Sequence, residues 1–182
     1  MLQVFGFETV CVAISDLYFV DPDPDPGPGQ DSPERGVRLE VRLLERQPLH
    51  GSIYSAQPIG VGRPVWRADL LEAVDSEPGS YDRTHHHPAF DGWEPSRRTF
   101  VPELSADPVG WVGERLEDLP SLLAHAGIGH GSVDPADGPK LRAAVPEIVE
   151  STRRLLARVH AGELGVAPAG SVALTNARVG WL

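Results

Sequence analysis

Val37-Arg38-Leu39-Glu40-Val41-Arg42-Leu43 alternates apolar and charged residues without a break. Side chains of a strand point alternately to its two faces, so this period of two predicts a strand with Val37, Leu39, Val41 and Leu43 on a core and its charges on the other side. A helix would need apolar residues three and four apart, and the stretch has none of that pattern.

Around this strand the N-terminal two-thirds reads the same way. The first twenty residues supply Val4, Phe5, Phe7, Val10, Val12, Ile14, Leu17 and Phe19, the β-branched and aromatic types that strands favour. They predict one or two strands, with Ser15-Asp16 as a turn or bulge. Leu49 to Ile59 and Pro64 to Glu72 are expected as further strands. In the latter Val65, Ala68 and Leu70 compete with Trp66 and Leu71 for the core side. Glu77-Pro78-Gly79-Ser80 is a turn, Tyr81 to His87 a returning strand stopped by Pro88, and Arg97 to Val101 another short strand. Between the first strands and Val37 lies Asp21-Pro22-Asp23-Pro24-Asp25-Pro26-Gly27-Pro28-Gly29. Its prolines lack backbone donors and its aspartates repel one another, so about 21–36 is expected as a flexible acidic loop. Pro26 stands where a calcium-binding EF-hand loop needs glycine.

The pattern switches at Ser105. Asp107-Pro108 is a capping side chain followed by a ring suited to the first helical position, and Val109, Val112, Leu116 and Leu119 follow at helical spacing. Pro120 breaks or restarts this helix, which runs to Gly127. A second helix opens at Pro139 and carries Leu141, Val145, Ile148, Leu155 and Val159 on one stripe; Pro146 is expected to kink it or mark its true start. Ser171 to Thr175 is a last strand-like piece. Strands first and helices after predict an α+β fold: a mainly antiparallel sheet with one face packed by two C-terminal helices, residues 1–182 forming a single domain.

Composition bounds the function. The 182-residue chain has 41% apolar and 23% charged residues, as in an ordinary globular protein. Its net charge of −10 disfavours nucleic acid as a partner, because phosphate needs a basic face. No apolar run approaches the about 18 residues of a membrane span, and the N-terminus lacks a basic signal region, so no membrane and a cytoplasmic location are expected. The single cysteine, Cys11, rules out an internal disulfide and reads as a buried inert thiol. The positive charge is nearly all arginine, with Lys140 the one lysine.

The densest chemistry is Tyr81-Asp82-Arg83-Thr84-His85-His86-His87-Pro88-Ala89-Phe90-Asp91-Gly92-Trp93-Glu94, which holds three of the seven histidines. On a strand, His85 and His87 share one face and His86 takes the other. Two imidazoles on one face, with Asp91 and Glu94 as carboxylate partners, form a candidate site for zinc, iron, nickel or manganese. Asp82, His50, His125, His130 and His160 are further candidates to complete it. The competing reading makes the same histidines structural groups, hydrogen-bonded to carboxylates or stacked on Trp93. Gly79, five residues, then His85 and His87 around one intervening residue resembles the first half of the metal motif of the cupin family. Asp91 stands nearest to that family's glutamate. Gly162, Pro168 and Gly170 match the spacing of its second half, where Ala173 replaces a metal-binding histidine. That resemblance implies a metal held by the histidine pair. Two predicted helices between the halves depart from the cupin arrangement.

Arg97 and Arg98, beside Trp93 and Phe100, are candidates to clamp a carboxylate or phosphate. Gly127-Ile128-Gly129-His130-Gly131-Ser132 follows a helix and lacks the lysine of a phosphate loop, so it reads as a helix stop and connection, with His130 in a place where a lid could form. Two functions follow. One is a non-catalytic interaction or accessory protein, with a homo-oligomer or protein-partner interface near Trp93, Trp111 or Trp181; a small-molecule ligand remains compatible with it. The other is a metal-binding domain or metal-dependent enzyme using His85 and His87.

Overall fold

A computed structural model describes residues 1–21 and 32–167, with five strands that run up and down in chain order: β1 (Leu2–Gly6), β2 (Val10–Phe19), β3 (Glu34–Arg46), β4 (Ile59–Ala73) and β5 (His85–His87). Every neighbour is antiparallel, and the order in the sheet is β1-β2-β3-β4-β5. A two-stranded hairpin, β6 (Phe90–Asp91) and β7 (Glu94–Pro95), follows, then helices α1 (Pro102–Ala106), α2 (Pro108–Glu117), α3 (Leu119–His125) and α4 (Asp137–His160).

The register sorts the alternating residues onto two faces. Ile14, Leu39, Ala68 and His86 lie side by side across four strands, as do Val12, Val41 and Trp66 across three. With Val10, Val37 and Leu70 the apolar members of these rows join Val112 and Leu116 of α2 and Leu141, Val145, Ile148, Leu155 and Val159 of α4 in one buried core. The uncertain β4 register is thereby settled: Trp66, Ala68 and Leu70 face the helices. A bulge near Arg42 shifts the pairing of β3 with β4 beyond that point.

The charged face opposite the helices is covered as well. Glu40 and Asp69 are buried, because the segment from Pro88 to Val101 folds across them. Phe90 lies against Arg67 and Trp93 against Arg42, each guanidinium within 6 Å of a ring centre. Arg98 donates to Glu34 at 2.7 Å and holds the far end of the segment down.

Several boundaries differ from expectation. The turn in the first twenty residues falls between Gly6 and Val10, and Ser15-Asp16 is interior to β2. Residues 49–58 form turns at the tip of the β3–β4 connection rather than a strand; Ile53 and Tyr54 there have no apolar surface to pack on and stay exposed. Glu34 to Gly36 belong to β3, while 22–31 and the expected strand at 171–175 lie outside the described residues. Only His85–His87 of the expected 81–87 strand pairs with the sheet, because Tyr81 takes a positive φ of 50° that leaves the extended path. Thr99 makes one bridge to His86 in place of a strand at 97–101. The helix expected from Asp107-Pro108 does start there as α2 and restarts at Asp118-Pro120 as α3, each aspartate capping the helix that follows, whereas the short α1 before them was not expected. Pro146 sits inside one continuous α4.

Candidate functional site

The buried charges form two rows across the sheet. Arg38, Asp69 and His85 are successive partners on β3, β4 and β5, and Glu40, Arg67 and His87 make the next row. Each guanidinium thus faces a carboxylate across one strand gap and lies beside one of its own strand. Arg38 Nε donates to Asp69 Oδ1 at 2.7 Å; Arg67 Nε lies 2.9 Å from Oδ2 without the alignment of a hydrogen bond. Arg42 donates to Glu40 at 2.6 Å.

Asp69, His85 and His87 converge at the β5 edge of these rows. They are 1%, 2% and 4% exposed, and one ligand atom of each lies within 4.8 Å of the others. His85 Nε2 is 3.4 Å and His87 Nε2 3.5 Å from Asp69 Oδ2. The two other ring nitrogens face backbone carbonyls: Nδ1 of His85 donates to Arg83 O at 2.7 Å, and Nδ1 of His87 to Ser96 O. In His87, whose Nε2 also meets an arginine donor, this fixes the tautomer with the lone pair on Nε2. Arg67 Nη2 donates into that lone pair on His87 at 2.8 Å.

Burial opposes ionisation of Asp69, but Arg38 and Arg67 outweigh it, so the carboxyl stays well below its ordinary range. Burial lowers the His87 pKa despite its contact with Asp69, and Arg67 lowers it further. The chemical state is therefore an anionic Asp69 between two cationic arginines, with a neutral His87 accepting from one of them.

The sheet separates the histidine triplet as the strand period requires: His85 and His87 on the charged face, His86 on the helix face. Asp91 and Glu94 are exposed partners in the β6–β7 hairpin and take no part in the group with the histidine pair. Asp82 instead accepts from Ala73 N, Ser76 and Ser80, tying the 74–82 turn together. His50 and His125 are exposed, and His160 lies 3.6 Å from Glu72. His130 begins a short 3-10 turn, His130–Ser132, after the chain leaves α3 through Gly127, whose φ is 72°. Arg98 clamps carboxylates of this chain, Glu34 and Asp21; Arg97 is exposed. Cys11 is buried beside Arg42 and Glu40, and burial pushes its thiol up to about 11.

Asp69 was not among the expected site residues. The signal was present: Arg67-Ala68-Asp69 repeats the i, i+2 charges of Arg38-Leu39-Glu40, and facing strands with opposite charges pair well. It was masked by the undecided register of β4.

His86 opens onto a second feature. A cleft of about 400 Å³ lies between the β4–β5 edge and α2–α3. Its floor is Trp66 and Trp111, stacked at 6.2 Å and 21°, with the His86 ring 5.0 Å from Trp111. Glu114, Arg115 and Asp118 stand at its rim, and Arg115 lies over the Trp111 ring at 4.8 Å. His86 Nδ1 is buried and has no hydrogen-bond partner among the described residues. Imidazolium would need an acceptor there, and burial, with His87, Arg115 and His85 adding, holds the His86 pKa down at about 4. The sequence carried no clear mark of this cleft, since Trp66, His86 and Trp111 come from three distant elements.

The other readings stand as follows. Trp93 is 63% exposed at the hairpin, Trp111 is buried against Trp66, and Trp181 lies outside the described residues. The cupin likeness stops at spacing: the carboxylate beside the histidine pair comes from the neighbouring strand, and Ala173 lies outside the described residues. No described helix is long and apolar enough to cross a membrane. Comparison with family models, with curated proteins and with solved structures found no match for this chain.

Proposed function

We propose that this protein is a binding protein, rather than a catalyst, that receives a small aromatic molecule in the Trp66–Trp111–His86 cleft. One observation carries the reading: three π systems line one concavity whose volume falls within the about 300–1,000 Å³ of small-molecule sites. Aromatic floors give large contact area and offset stacking, each ring pair adding about 0.5–1.5 kcal/mol beyond the area buried. The charged layer behind β5 then serves as the rigid backing that fixes His86 in the wall.

Indole titration followed by the tryptophan side-chain N–H resonances tests it. Trp66 and Trp111 are expected to shift while Trp93 stays still, and Ser121→Phe, which narrows the mouth, abolishes the response without lowering the melting temperature. Unmoved Trp66 and Trp111 signals at millimolar indole would overturn the reading.

One observation favours a second reading, a transition-metal ion at Asp69, His85 and His87. Both Nδ1 atoms are anchored on carbonyls, as in metal-bound histidines, leaving Nε2 to coordinate. Such an ion would take the place of the Arg67 guanidinium. Zinc, iron, nickel or manganese retained stoichiometrically by untagged protein would support this reading, and protein free of metal after supplementation of the growth medium would remove it.

A further inference from the structure

We infer that the cleft selects a cationic aromatic ligand, a flat ring carrying a protonated amine, over neutral or anionic molecules of the same shape. This rests on the cleft being a ligand site at all.

Three features of the lining point to that charge. First, the Trp111 face already holds a cation. Arg115 is four residues along α2 from Trp111, and its guanidinium carbon sits 4.8 Å from the ring centre. Aromatic faces are negative, and a cation there gains about 0.5–1 kcal/mol at an exposed position. Arg115 is exposed, so it can swing into water at small cost and yield the face to a ligand ammonium.

Second, both carboxylates of the lining stand at the mouth. Glu114 in the last turns of α2 and Asp118 at its C-cap lie one turn apart, and both are exposed. With Arg115 displaced outward they leave the entrance net negative, on a chain whose total charge is −10. An ammonium has three donors and no acceptor, which suits two carboxylates; a ligand carboxylate would meet them as like charges.

Third, among the described residues no buried guanidinium lines the cleft to draw an anion in. Among the described residues the lining carries one guanidinium, the exposed Arg115, whereas Arg38, Arg67 and Arg98 are committed to Asp69, Glu34 and Asp21 on the far side of the sheet. A ring entering beside Trp66 and Trp111 therefore meets π surface below and acidic groups above.

The test uses three probes with one ring system and three charges: tryptamine, indole and indole-3-acetate, titrated calorimetrically at pH 7 into the whole chain. Tryptamine is expected to bind about tenfold or more tighter than indole-3-acetate, with indole between them. The preference should shrink with added salt. Glu114→Gln with Asp118→Asn keeps the α3 cap and is expected to erase the preference. Arg115→Ala separates the two charge models: it should tighten tryptamine, because the aromatic face is freed, whereas an anion site would weaken. Equal affinity for all three probes, or tighter indole-3-acetate, overturns this inference and leaves the cleft reading intact. Failure of all three to bind overturns both.

Discussion

Arg67 Nη2 lies 2.8 Å from Nε2 of His87 and so donates into the lone pair that a metal ion would need. The same arginine places Nε beside Asp69 Oδ2, and Arg38 bonds the other oxygen. The group that looks like a ligand set by composition is thus internally compensated: two guanidiniums, one carboxylate and one accepting imidazole, with Glu40 balancing the second cation across the strand gap. Buried pairs of this kind add little net stability over apolar residues, but breaking one strands a charge. Asp69→Asn takes the carboxylate from Arg38 and Arg67 and leaves Glu40, already bound by Arg42, to balance them in a nearly dry layer. It is expected to cost about 3–5 kcal/mol in urea unfolding. A loss under 1 kcal/mol would show that the layer is wetter than its burial indicates.

Metal addition follows from the same contact. An added divalent ion must expel Arg67 from both Asp69 and His87 before it gains two imidazoles. The melting temperature of the wild-type protein is therefore expected to stay unchanged with equimolar zinc, nickel or manganese. Arg67→Met removes the competing donor while keeping an apolar stem against Phe90. If histidine geometry alone governs the site, this variant should regain stability on adding zinc, by RT ln(1 + [L]/Kd). A wild-type rise of several degrees would favour the metal reading instead.

Acid should destabilise the fold in two stages. The unfolded chain protonates its histidines near the ordinary 6.5, whereas folded His86 resists until about 4. Between those values the unfolded state holds the extra proton, so stability falls as pH drops from 6.5 to 4. His87 shifts in the same direction and adds to this stage. Asp69 lies well below its usual 3.8 in the folded state, so its contribution is intact above about 4 and is lost as pH falls further. Urea midpoints at pH 7.5, 5.5, 4.5 and 3.5 measure both stages. His86→Phe is expected to flatten the upper stage in part and leave the lower one unchanged.

Much of this architecture was written in residue order. The alternation of Val37 to Leu43 reports the two faces of β3, and the same period separates His85 and His87 from His86. The fate of the charged face was not legible. Alternation says that Arg38, Glu40 and Arg42 share a side; it cannot say whether water or protein meets them. The cover comes from Phe90, Trp93 and Arg98, more than 45 residues away in sequence, so only tertiary structure joins them. The failed strand at 49–58 is the reverse case. Leu49 and Ile53 have strand-like chemistry, but a strand needs a neighbour, and beyond Arg46 the sheet has none to offer. The cleft was least legible of all, since a stack of Trp66 on Trp111 depends on where α2 crosses the sheet.

The junction of sheet and helices offers a last prediction. Asp137 is fully buried at the start of α4, yet it is charged chemistry in a dry place. Its carboxylate accepts from Glu8 N at 2.7 Å, from Thr9 N at 3.1 Å and from Thr9 Oγ1 at 2.5 Å, binding the β1–β2 turn to the helix. The first turn of a helix also favours an anion. Asp137→Ala removes the acceptor and leaves two backbone donors without a partner, which should cost about 1.5–3 kcal/mol. Asp137→Asn keeps one oxygen and should lose less. Thr9→Val removes only the hydroxyl donor and should be mild alone. In a double-mutant cycle the two changes should couple by about 0.5–3 kcal/mol, because the second has nothing left to break once Asp137 is gone. Purely additive effects would mean that the turn is held by β1–β2 pairing and not by this carboxylate.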